Sequence, residues 1–272
     1  MRDPEITLAK LHGVGNDFLV VLDPAPDFDA GGPELARRLC DRHRGIGADG
    51  LIAGRRIAIE GAGGAVLSFR LWNADGSEAE MSGNGIRCLA HEALEYGWVP
   101  EGEPFLVTTP AGLREVTITR NGGSSAWGAV DMGVVKVQGE AERCNVGQGQ
   151  LLVDVGNPHL VVLGPDPATV DVAALGPLLE RTDPAGLNVE FVALGPGADE
   201  VTMRVWERGV GETEACGTGS CAAAAAVHHW GRVGSAVTVH QPGGAAAVEL
   251  RADGTALLSG PSERIATCLV RW

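Results

Sequence analysis

Two segments of the chain decide its fold: Glu-Ala-Glu-Met-Ser-Gly-Asn-Gly at residues 78–85 and Glu-Thr-Glu-Ala-Cys-Gly-Thr-Gly at residues 212–219. The two glutamates and the two glycines of these segments coincide, and Ser82 corresponds to Cys216. The segments lie 134 residues apart, which is about half of the 272-residue chain. A repeat at this spacing indicates an internal duplication.

A second repeat has the same order and nearly the same spacing. Residues 14–21 are VGNDFLVV and residues 155–162 are VGNPHLVV, so six of the eight positions are identical at an offset of 141. One short match in a glycine-rich chain could arise by chance, whereas two matches in the same order are much less expected. The sequence therefore predicts two equivalent halves.

The local patterns of both halves predict the same kind of unit. Apolar runs bounded by Gly, Pro, Asn or Asp predict strands at 18–22, 65–71, 116–119, 151–155, 189–193, 201–205 and 237–240. One helix is expected after each glycine loop, at about 84–96 and 218–230, and a helix that is apolar nearly all round lies inside a domain. We expect an α+β fold of two pseudo-symmetric domains, each a curved sheet or barrel around a central helix.

The boundary between the halves is expected at Asn-Gly-Gly-Ser-Ser, residues 121–125, because Gly and Ser form flexible links. The predicted N-terminal domain covers residues 1–123 and is completed by a C-terminal strand at 263–272. The predicted C-terminal domain covers residues 124–262. An active site is expected in the cleft between the two domains.

The charge of the chain excludes several partners. A net charge of −14 and an isoelectric point near 4.9 argue against nucleic-acid binding and against a polybasic membrane anchor. No apolar run approaches the roughly 20 residues of a membrane span. The N-terminus has no basic-then-apolar signal pattern, so a cytoplasmic protein is expected. We also expect that it acts on a small molecule and that it is a monomer or homodimer.

The sequence predicts neither a cofactor nor a metal. The two lysines, Lys10 and Lys136, lie outside the glycine-rich segments, so a Schiff-base lysine for pyridoxal phosphate is not expected. The phosphate-binding pattern GxxxxGK[ST] does not occur, and no GxGxxG follows an N-terminal strand. The cysteines form no CxxC pair, which argues against structural zinc.

The two glycine loops predict acid/base chemistry. Each precedes a helix, whose N-terminus has a partial positive charge that favours a carboxylate or a thiolate. Cys216 lies at such an end, where the pKa of a thiol is usually lowered. Two matched loops suggest a symmetric task such as inversion of a stereocentre, in which one group removes a proton and another supplies one on the opposite face.

Six segments of the chain closely resemble the diaminopimelate epimerase family. They are LHGVGNDF (11–18), RGIGADGL (44–51), NADGSEAEMSGNGIRC (73–88), VGNPHLV (155–161), GLNVEF (186–191) and ERGVGETEACGTGSCAA (207–223). The resemblance implies the epimerase fold and a cofactor-independent two-base mechanism. It also implies that the substrate is diaminopimelate, interconverted between the LL and meso forms for lysine and peptidoglycan synthesis.

The resemblance also implies roles for individual residues. The second catalytic cysteine falls on Cys216, its partner glutamate on Glu207, and the family's histidine on His159. The positions that contact substrate, Glu207 included, fall on Asn16, Asn73, Asn157, Asn188 and Arg208, and the backbone anion cradles on Gly83, Asn84, Gly217 and Thr218. An arginine such as Arg208 can hold a carboxylate through two parallel hydrogen bonds.

One position departs from the family pattern. The first catalytic base of the family is a cysteine in Cys-Gly-Asn-Gly, whereas this chain has Ser82. A hydroxyl is far less acidic than a thiol, so impaired epimerisation is expected. Ser82 is compatible with an introduced replacement, with a natural variant of weak or altered activity, and with a one-base relative. The alternative functions are therefore a lyase or other amino-acid isomerase, or a non-catalytic amino-acid-binding protein.

Overall fold

The computed structural model describes residues 5–59, 64–164 and 166–271. The chain divides into two compact units. Unit 1 comprises Met1–Val130 and Pro261–Trp272, and unit 2 comprises Asp131–Gly260. The predicted first domain and last strand include residues 1–4, 60–63 and 272, which lie outside the described residues.

Unit 1 is built around a closed barrel of eight strands. Hydrogen-bonded neighbours follow the order β1-β2-β3-β4-β6-β7-β8-β17 and return from β17 to β1; β5 extends the sheet beside β4. The pairs β2–β3 and β4–β6 are parallel, and the other pairs with a determined register are antiparallel. The strands are β1 (Glu5–Gly13), β2 (Asn16–Leu22), β3 (Gly50–Ile57), β4 (Val66–Asn73), β5 (Glu78–Ala79), β6 (Phe105–Thr109), β7 (Gly112–Arg120), β8 (Ser125–Val134) and β17 (Thr255–Arg271).

Unit 2 repeats this strand order. The sheet runs β9-β10-β11-β12-β13-β15-β16-β17, with parallel pairs β11–β12 and β13–β15, and β14 beside β13. The chain enters unit 2 within β8 and leaves it within β17. The remaining strands are β9 (Lys136–Glu140), β10 (Gly149–Asp154), β11 (Pro158–Leu163), β12 (Asn188–Leu194), β13 (Glu200–Glu207), β14 (Gly211–Thr213), β15 (Ala236–Gln241) and β16 (Gly244–Leu250).

A buried helix lies in the centre of each unit. Helix α2 (Gly83–Glu95) packs on β1, β2, β3, β4 and β7, and helix α4 (Gly217–His229) packs on seven strands from β9 to β16. Residues 217–227 of α4 are all buried, and five consecutive alanines, Ala222 to Ala226, let the surrounding strands approach it closely. These helices and the α+β class confirm the sequence prediction.

Each unit also has an outer helix that the sequence analysis did not predict. Helix α1 (Phe28–Cys40) packs on β3 and β4, and helix α3 (Val172–Glu180) packs on β12, β13 and β14, after a short 3-10 turn at Pro167–Thr169. The helices expected after the two glycine loops are present, and the outer helices are additional to them. Each outer helix contains a Gly-Pro pair, which usually marks a turn, and so the local pattern concealed it.

Tertiary packing explains why these helices form despite Gly-Pro. A Cβ added to Gly32 of α1 would lie 2.4 Å from the ring of Trp72, and one added to Gly176 of α3 would lie 2.4 Å from Trp206. Trp72 is almost fully buried, at 1% exposure. Each glycine thus lets its helix pack directly on an indole ring of the neighbouring strand, and this contact recurs in both units.

Candidate active site

Ser82 is the N-cap residue of α2. Its extended backbone (φ −145°, ψ 117°) turns the chain into the helix, and its Oγ accepts a hydrogen bond from the backbone N–H of Gly85 at 3.0 Å. Serine is among the preferred N-cap residues because its oxygen satisfies a free N–H of the first turn. The hydroxyl is partly exposed, whereas Gly83 and Asn84 behind it are buried.

A chain of amide hydrogen bonds leads away from this loop within unit 1. Arg87 Nη2 donates to Asn84 Oδ1 at 2.8 Å, Asn84 Nδ2 donates to Asn16 Oδ1 at 3.2 Å, and Asn16 Nδ2 donates to Asp49 Oδ2 at 2.8 Å. We call these four side chains the amide relay. Arginine can only donate and an ionised carboxylate can only accept, so the two ends fix the orientation of both amides.

A charged cluster anchors the carboxylate end of the amide relay. Arg42 pairs with Asp49 at 2.8 Å and with Asp17 at 2.8 Å, and Lys10 pairs with Asp17 at 3.0 Å. Burial opposes ionisation of Asp17, but the hydrogen bonds and charges of Arg42 and Lys10 outweigh it and hold the pKa of that carboxyl below its ordinary value. Asp49 is therefore held in place by cationic and backbone partners.

Asn73 ends β4 and belongs to a turn. Its Nδ2 donates to Ser77 Oγ at 3.1 Å, and its backbone N–H donates to the carbonyl of Ser77 at 2.8 Å. Asn73 is partly exposed, and its amide has one further hydrogen and a carbonyl oxygen with which it can bind a ligand.

Cys216 is the N-cap residue of α4. Its Sγ accepts a hydrogen bond from the N–H of Gly219 at 3.4 Å and lies 3.4 Å from Thr218 Oγ1. Gln241 Oε1 fixes the loop by accepting from the backbone N–H of Cys216 at 2.8 Å. The thiol is buried, at 5% exposure, and so are Gly217 and Thr218 beside it.

The acidity of Cys216 differs from the sequence expectation. Burial raises the pKa of its thiol well above the ordinary value, and the negative charges of Glu207 and Glu190 raise it further. The hydrogen bonds from Thr218 and Gly219 at the helix terminus act in the opposite direction but are weaker. A lowered pKa was therefore the wrong prediction for Cys216.

Glu207 and Arg208 leave the end of β13 together. Glu207 accepts a hydrogen bond from Thr213 Oγ1 on β14, and its charge acts on Cys216. The backbone N–H of Arg208 donates to Asn188 Oδ1 at 3.0 Å, while its exposed guanidinium donates to the carbonyl of Ala185 at 3.1 Å. The guanidinium has further N–H groups with which to bind a carboxylate.

The loop after β10 brings Asn157 to His159. His159 Nε2 lies 2.9 Å from Asn157 Oδ1, and His159 Nδ1 lies 2.7 Å from Glu190 Oε1. Asn188, 5% exposed at the start of β12, donates from Nδ2 to the carbonyl of Pro158 at 3.1 Å. Parallel pairing of β11 with β12 aligns His159 with Asn188, which draws these predicted residues together.

The predicted residues thus form one group in each unit. In unit 1, Ser82, Gly83, Asn84 and Asn16 adjoin one another, and Asn73 lies on its own turn. In unit 2, the group comprises Cys216, Gly217, Thr218, Glu207, Arg208, Asn157, His159 and Asn188.

Sequence reasoning missed four residues of these groups: Asp49, Arg87, Glu190 and Gln241. A signal existed for three of them, and Arg87 lies in the quoted segment NADGSEAEMSGNGIRC. Asp49 lies in RGIGADGL, and Glu190 is a charged residue within the apolar strand segment NVEFVAL. Gln241 offered no pattern that we recognise.

Across residues 5–59, 64–164 and 166–271, no group of three or more His, Cys, Asp or Glu side chains could hold a metal ion. The same ranges contain no helix with the length and apolar character of a membrane span.

Comparison with known proteins identifies the relatives of the chain. The family model described as diaminopimelate epimerase matches residues 8–138 and 151–265. The chain is 38% identical to the diaminopimelate epimerase of Desulfitobacterium hafniense, over 94% of this chain and 94% of that protein. It is 41% identical to the diaminopimelate epimerase of Corynebacterium glutamicum, over 96% of each.

Solved structures share the fold at low sequence identity. A hydroxyproline epimerase from Agrobacterium vitis with bound trans-4-hydroxy-L-proline has a TM-score of 0.74 at 21% identity, covering 100% of this chain and 94% of that one. A predicted epimerase from Pseudomonas aeruginosa has a TM-score of 0.73 at 16% identity, covering 97% and 99%. At these identities the likeness establishes the fold alone.

Proposed function

The chain belongs to the diaminopimelate epimerase family, and we propose that its two glycine loops supply the two acid/base positions of that reaction. The chain is accordingly an isomerase that epimerises diaminopimelate. We propose a cofactor-independent mechanism acting between the LL and meso forms, with Cys216 and Ser82 on opposite faces of the reacting carbon. The observation that supports it best is that both residues cap a central helix with the same side-chain geometry.

Cys216 is proposed as the competent acid/base group. Burial and the charges of Glu207 and Glu190 raise the pKa of its thiol and so favour the protonated form. A neutral thiol can deliver a proton to a carbanion, and the thiolate left behind would be stabilised by the N–H of Gly219 and by Thr218. Glu207 is proposed as the residue that adjusts this balance.

Ser82 is proposed as an impaired partner. Its Oγ already accepts the capping hydrogen bond from Gly85, and an uncharged hydroxyl is a poor base for a weakly acidic α-carbon. His159 is proposed to assist proton transfer at this second position. With Ser82 in place, net inversion is expected to be slow even though a substrate can bind.

The remaining residues are proposed to bind the substrate. Backbone N–H groups at Gly83 and Asn84, and at Gly217 and Thr218, lie at helix N-termini that suit the α-carboxylate. The asparagines Asn16, Asn73, Asn157 and Asn188 offer both donors and acceptors for ammonium and carboxylate groups. Glu207 and the exposed guanidinium of Arg208 complete the set, and Arg208 suits the carboxylate at the distal end of diaminopimelate.

We further propose that the enzyme acts in the cytoplasm as a monomer or homodimer, and that its product serves lysine and peptidoglycan synthesis. The acidic net charge of −14 supports a small-molecule partner over nucleic acid.

Exchange of the α-hydrogen into D₂O tests the mechanism, with LL- and meso-diaminopimelate followed separately by NMR. We expect exchange from one stereoisomer without inversion, because Cys216 can remove and return a proton on one face only. Equal exchange and inversion from both isomers would refute the impairment of Ser82. Exchange from neither isomer would favour the second candidate, a one-base relative or an amino-acid-binding protein, which the serine at position 82 suggests.

A further inference from the structure

Glu190 is a carboxylate inside the core of unit 2. It lies on β12 between Val189 and Phe191, and its side chain is 0% exposed. Transfer of a charged group from water into such a site is unfavourable unless partners compensate for it. The proposed roles of the other site residues do not account for the contact of Glu190 with His159, so its partners are informative.

Glu190 Oε1 lies close to His159 and to the N-terminus of α4. His159 Nδ1 is 2.7 Å away, on a ring that is also 0% exposed. A Cβ added to Gly219 of α4 would lie 2.8 Å from Oε1, so that glycine permits the helix to approach the carboxylate. The positive end of the helix stabilises a negative charge there. Among the described residues, Oε2 has no hydrogen-bond partner.

In unit 1 the positions that correspond to His159 and Glu190 hold apolar residues. The register pairs Phe18 with Gly50 on β2 and β3, just as it pairs His159 with Asn188 on β11 and β12. Phe18 therefore corresponds to His159, and Ile52 corresponds to Glu190. Ile52 is 0% exposed, and its Cδ1 would lie 3.1 Å from a Cβ added to Gly85, as Glu190 does beside Gly219.

The apolar residues of unit 1 indicate whether the fold requires the polar pair His159 and Glu190 of unit 2. An apolar pair builds this position in unit 1 without buried charge, and replacing a buried ion pair by apolar residues is often neutral or stabilising. The barrel and its central helix therefore do not require Glu190 and His159. Their presence in unit 2 only is explained by a task that belongs to the site.

We propose that Glu190 is a positioning residue, which holds the Nδ1–H of His159 and leaves Nε2, beside Asn157, as the ring atom that exchanges a proton. This rests on the proposed function, in which His159 belongs to the acid/base machinery. A carboxylate partner fixes both the tautomer and the orientation of an imidazole. Its charge acts on His159 and on Cys216, and the charge of Glu207 also acts on Cys216.

The test compares Glu190→Gln with the parent chain. Glutamine keeps the shape and an acceptor but removes the charge. The first readout, ¹⁵N NMR of labelled histidine, requires no substrate. We expect a protonated Nδ1 of His159 in the parent chain, and a changed tautomer population in Glu190→Gln.

The second readout is the pH profile of α-hydrogen exchange, measured in a Ser82→Cys background so that both faces react. We expect kcat to fall by about tenfold or more, with KM changed less than about twofold and the pH profile displaced. Glu190→Asp keeps the charge and should recover part of the rate. The matched control is Glu200→Gln, because Glu200 pairs with His240 at 2.8 Å in the same unit but outside the site.

Each result decides the proposal. An unchanged His159 spectrum in Glu190→Gln overturns it, and so does an altered spectrum with an unaltered pH profile. If neither parent nor variant exchanges diaminopimelate hydrogen, the proposed function fails, and the NMR result alone decides whether Glu190 positions the ring.

A second variant guards against loss of folding. The double substitution His159→Phe with Glu190→Ile copies the apolar pair of unit 1, and we expect its melting temperature to equal or exceed that of the parent. An unfolded double variant would show that the polar pair is structural and would overturn the proposal.

Discussion

Ser82 and Cys216 hold the same structural position in their respective units, as N-caps of the two central helices. Their backbones agree closely, with φ and ψ of −145° and 117° for Ser82 and −129° and 121° for Cys216. Each side-chain heteroatom accepts from the N–H of the glycine three residues later, at 3.0 Å to oxygen and 3.4 Å to sulfur. At this position the two units differ in one side-chain atom, which is an oxygen in Ser82 and a sulfur in Cys216.

Replacing Ser82 by cysteine should restore epimerisation. We expect the rate to rise by about 10²–10⁴, the usual contribution of a positioned acid/base group, because the loop already has the geometry that holds a thiol in unit 2. Loss of the better cap should cost at most about 1 kcal/mol of stability. The measurement is a circular-dichroism or coupled assay with meso-diaminopimelate at one pH.

The control for this experiment is Ser82→Cys combined with Cys216→Ser, which moves the single thiol to the other loop. It should again exchange hydrogen on one face without fast inversion. If the parent chain epimerises as fast as Ser82→Cys, Ser82 is not a defective base.

Removing the charge of Glu207 should make Cys216 more acidic. Burial and the carboxylates of Glu207 and Glu190 raise the pKa of the thiol, so Glu207→Gln is expected to lower that pKa towards its ordinary value. At a fixed pH near 8 a larger fraction is then thiolate, and alkylation by iodoacetamide should accelerate. Mass spectrometry of the peptide that contains Cys216 gives the rate.

Glu212→Gln is the matched control, since Glu212 is exposed and pairs with Arg204 on the same sheet. It should leave the alkylation rate unchanged. Equal rates in the parent chain and Glu207→Gln would show that the charge of Glu207 does not act on the thiol.

The duplication made the central part of the fold predictable from sequence. The segment repeated at residues 78–85 and 212–219 located both helix caps. The apolar sequence after a cap predicted that the helix lies inside its unit. The outer helices were not predictable in the same way, because Gly32-Pro33 and Gly176-Pro177 usually end a helix. What stabilises them is packing against Trp72 and Trp206, which lie far away in the sequence.

The candidate site was predictable where local motifs supply the residues. Cys216 and Ser82 stand out in their glycine loops, and the family resemblance supplied the asparagines, Glu207 and Arg208. The sequence did not reveal the residues that hold these side chains in place. Asp49 and Glu190 act on Asn16 and His159 across neighbouring strands, and a sequence pattern does not show strand register.

Alanine at Gly176 should destabilise unit 2. An added Cβ would lie 2.4 Å from Trp206, and such overpacking costs about 1–3 kcal/mol, which exceeds the gain of about 1 kcal/mol from alanine's helix propensity. Gly32→Ala should do the same in unit 1 against Trp72. Thermal or urea unfolding measures both losses.

The control is Gly64→Ala, because a Cβ there would meet no atom of the described residues within 4 Å. Its stability should match that of the parent chain. A double-mutant cycle with Trp206→Phe should return part of the loss in Gly176→Ala, and strict additivity would contradict the proposed contact.

Weakening the amide relay should reduce substrate affinity more than turnover. Asp49 fixes the amide of Asn16, while Arg87 fixes that of Asn84, so each amide nitrogen keeps one hydrogen for an anionic ligand. In Asp49→Asn the residue at the end of the relay can donate as well as accept a hydrogen bond. The amide of Asn16 can then rotate and present its oxygen to the carboxylate of the substrate. We expect calorimetry with meso-diaminopimelate to show affinity lowered about tenfold, equivalent to about 1.4 kcal/mol.

Asp29→Asn is the matched control, since Asp29 is a similarly exposed carboxylate paired with Arg55 and Arg70 in the same unit. Equal affinity in Asp49→Asn and Asp29→Asn would show that the relay does not orient the amide that meets the substrate.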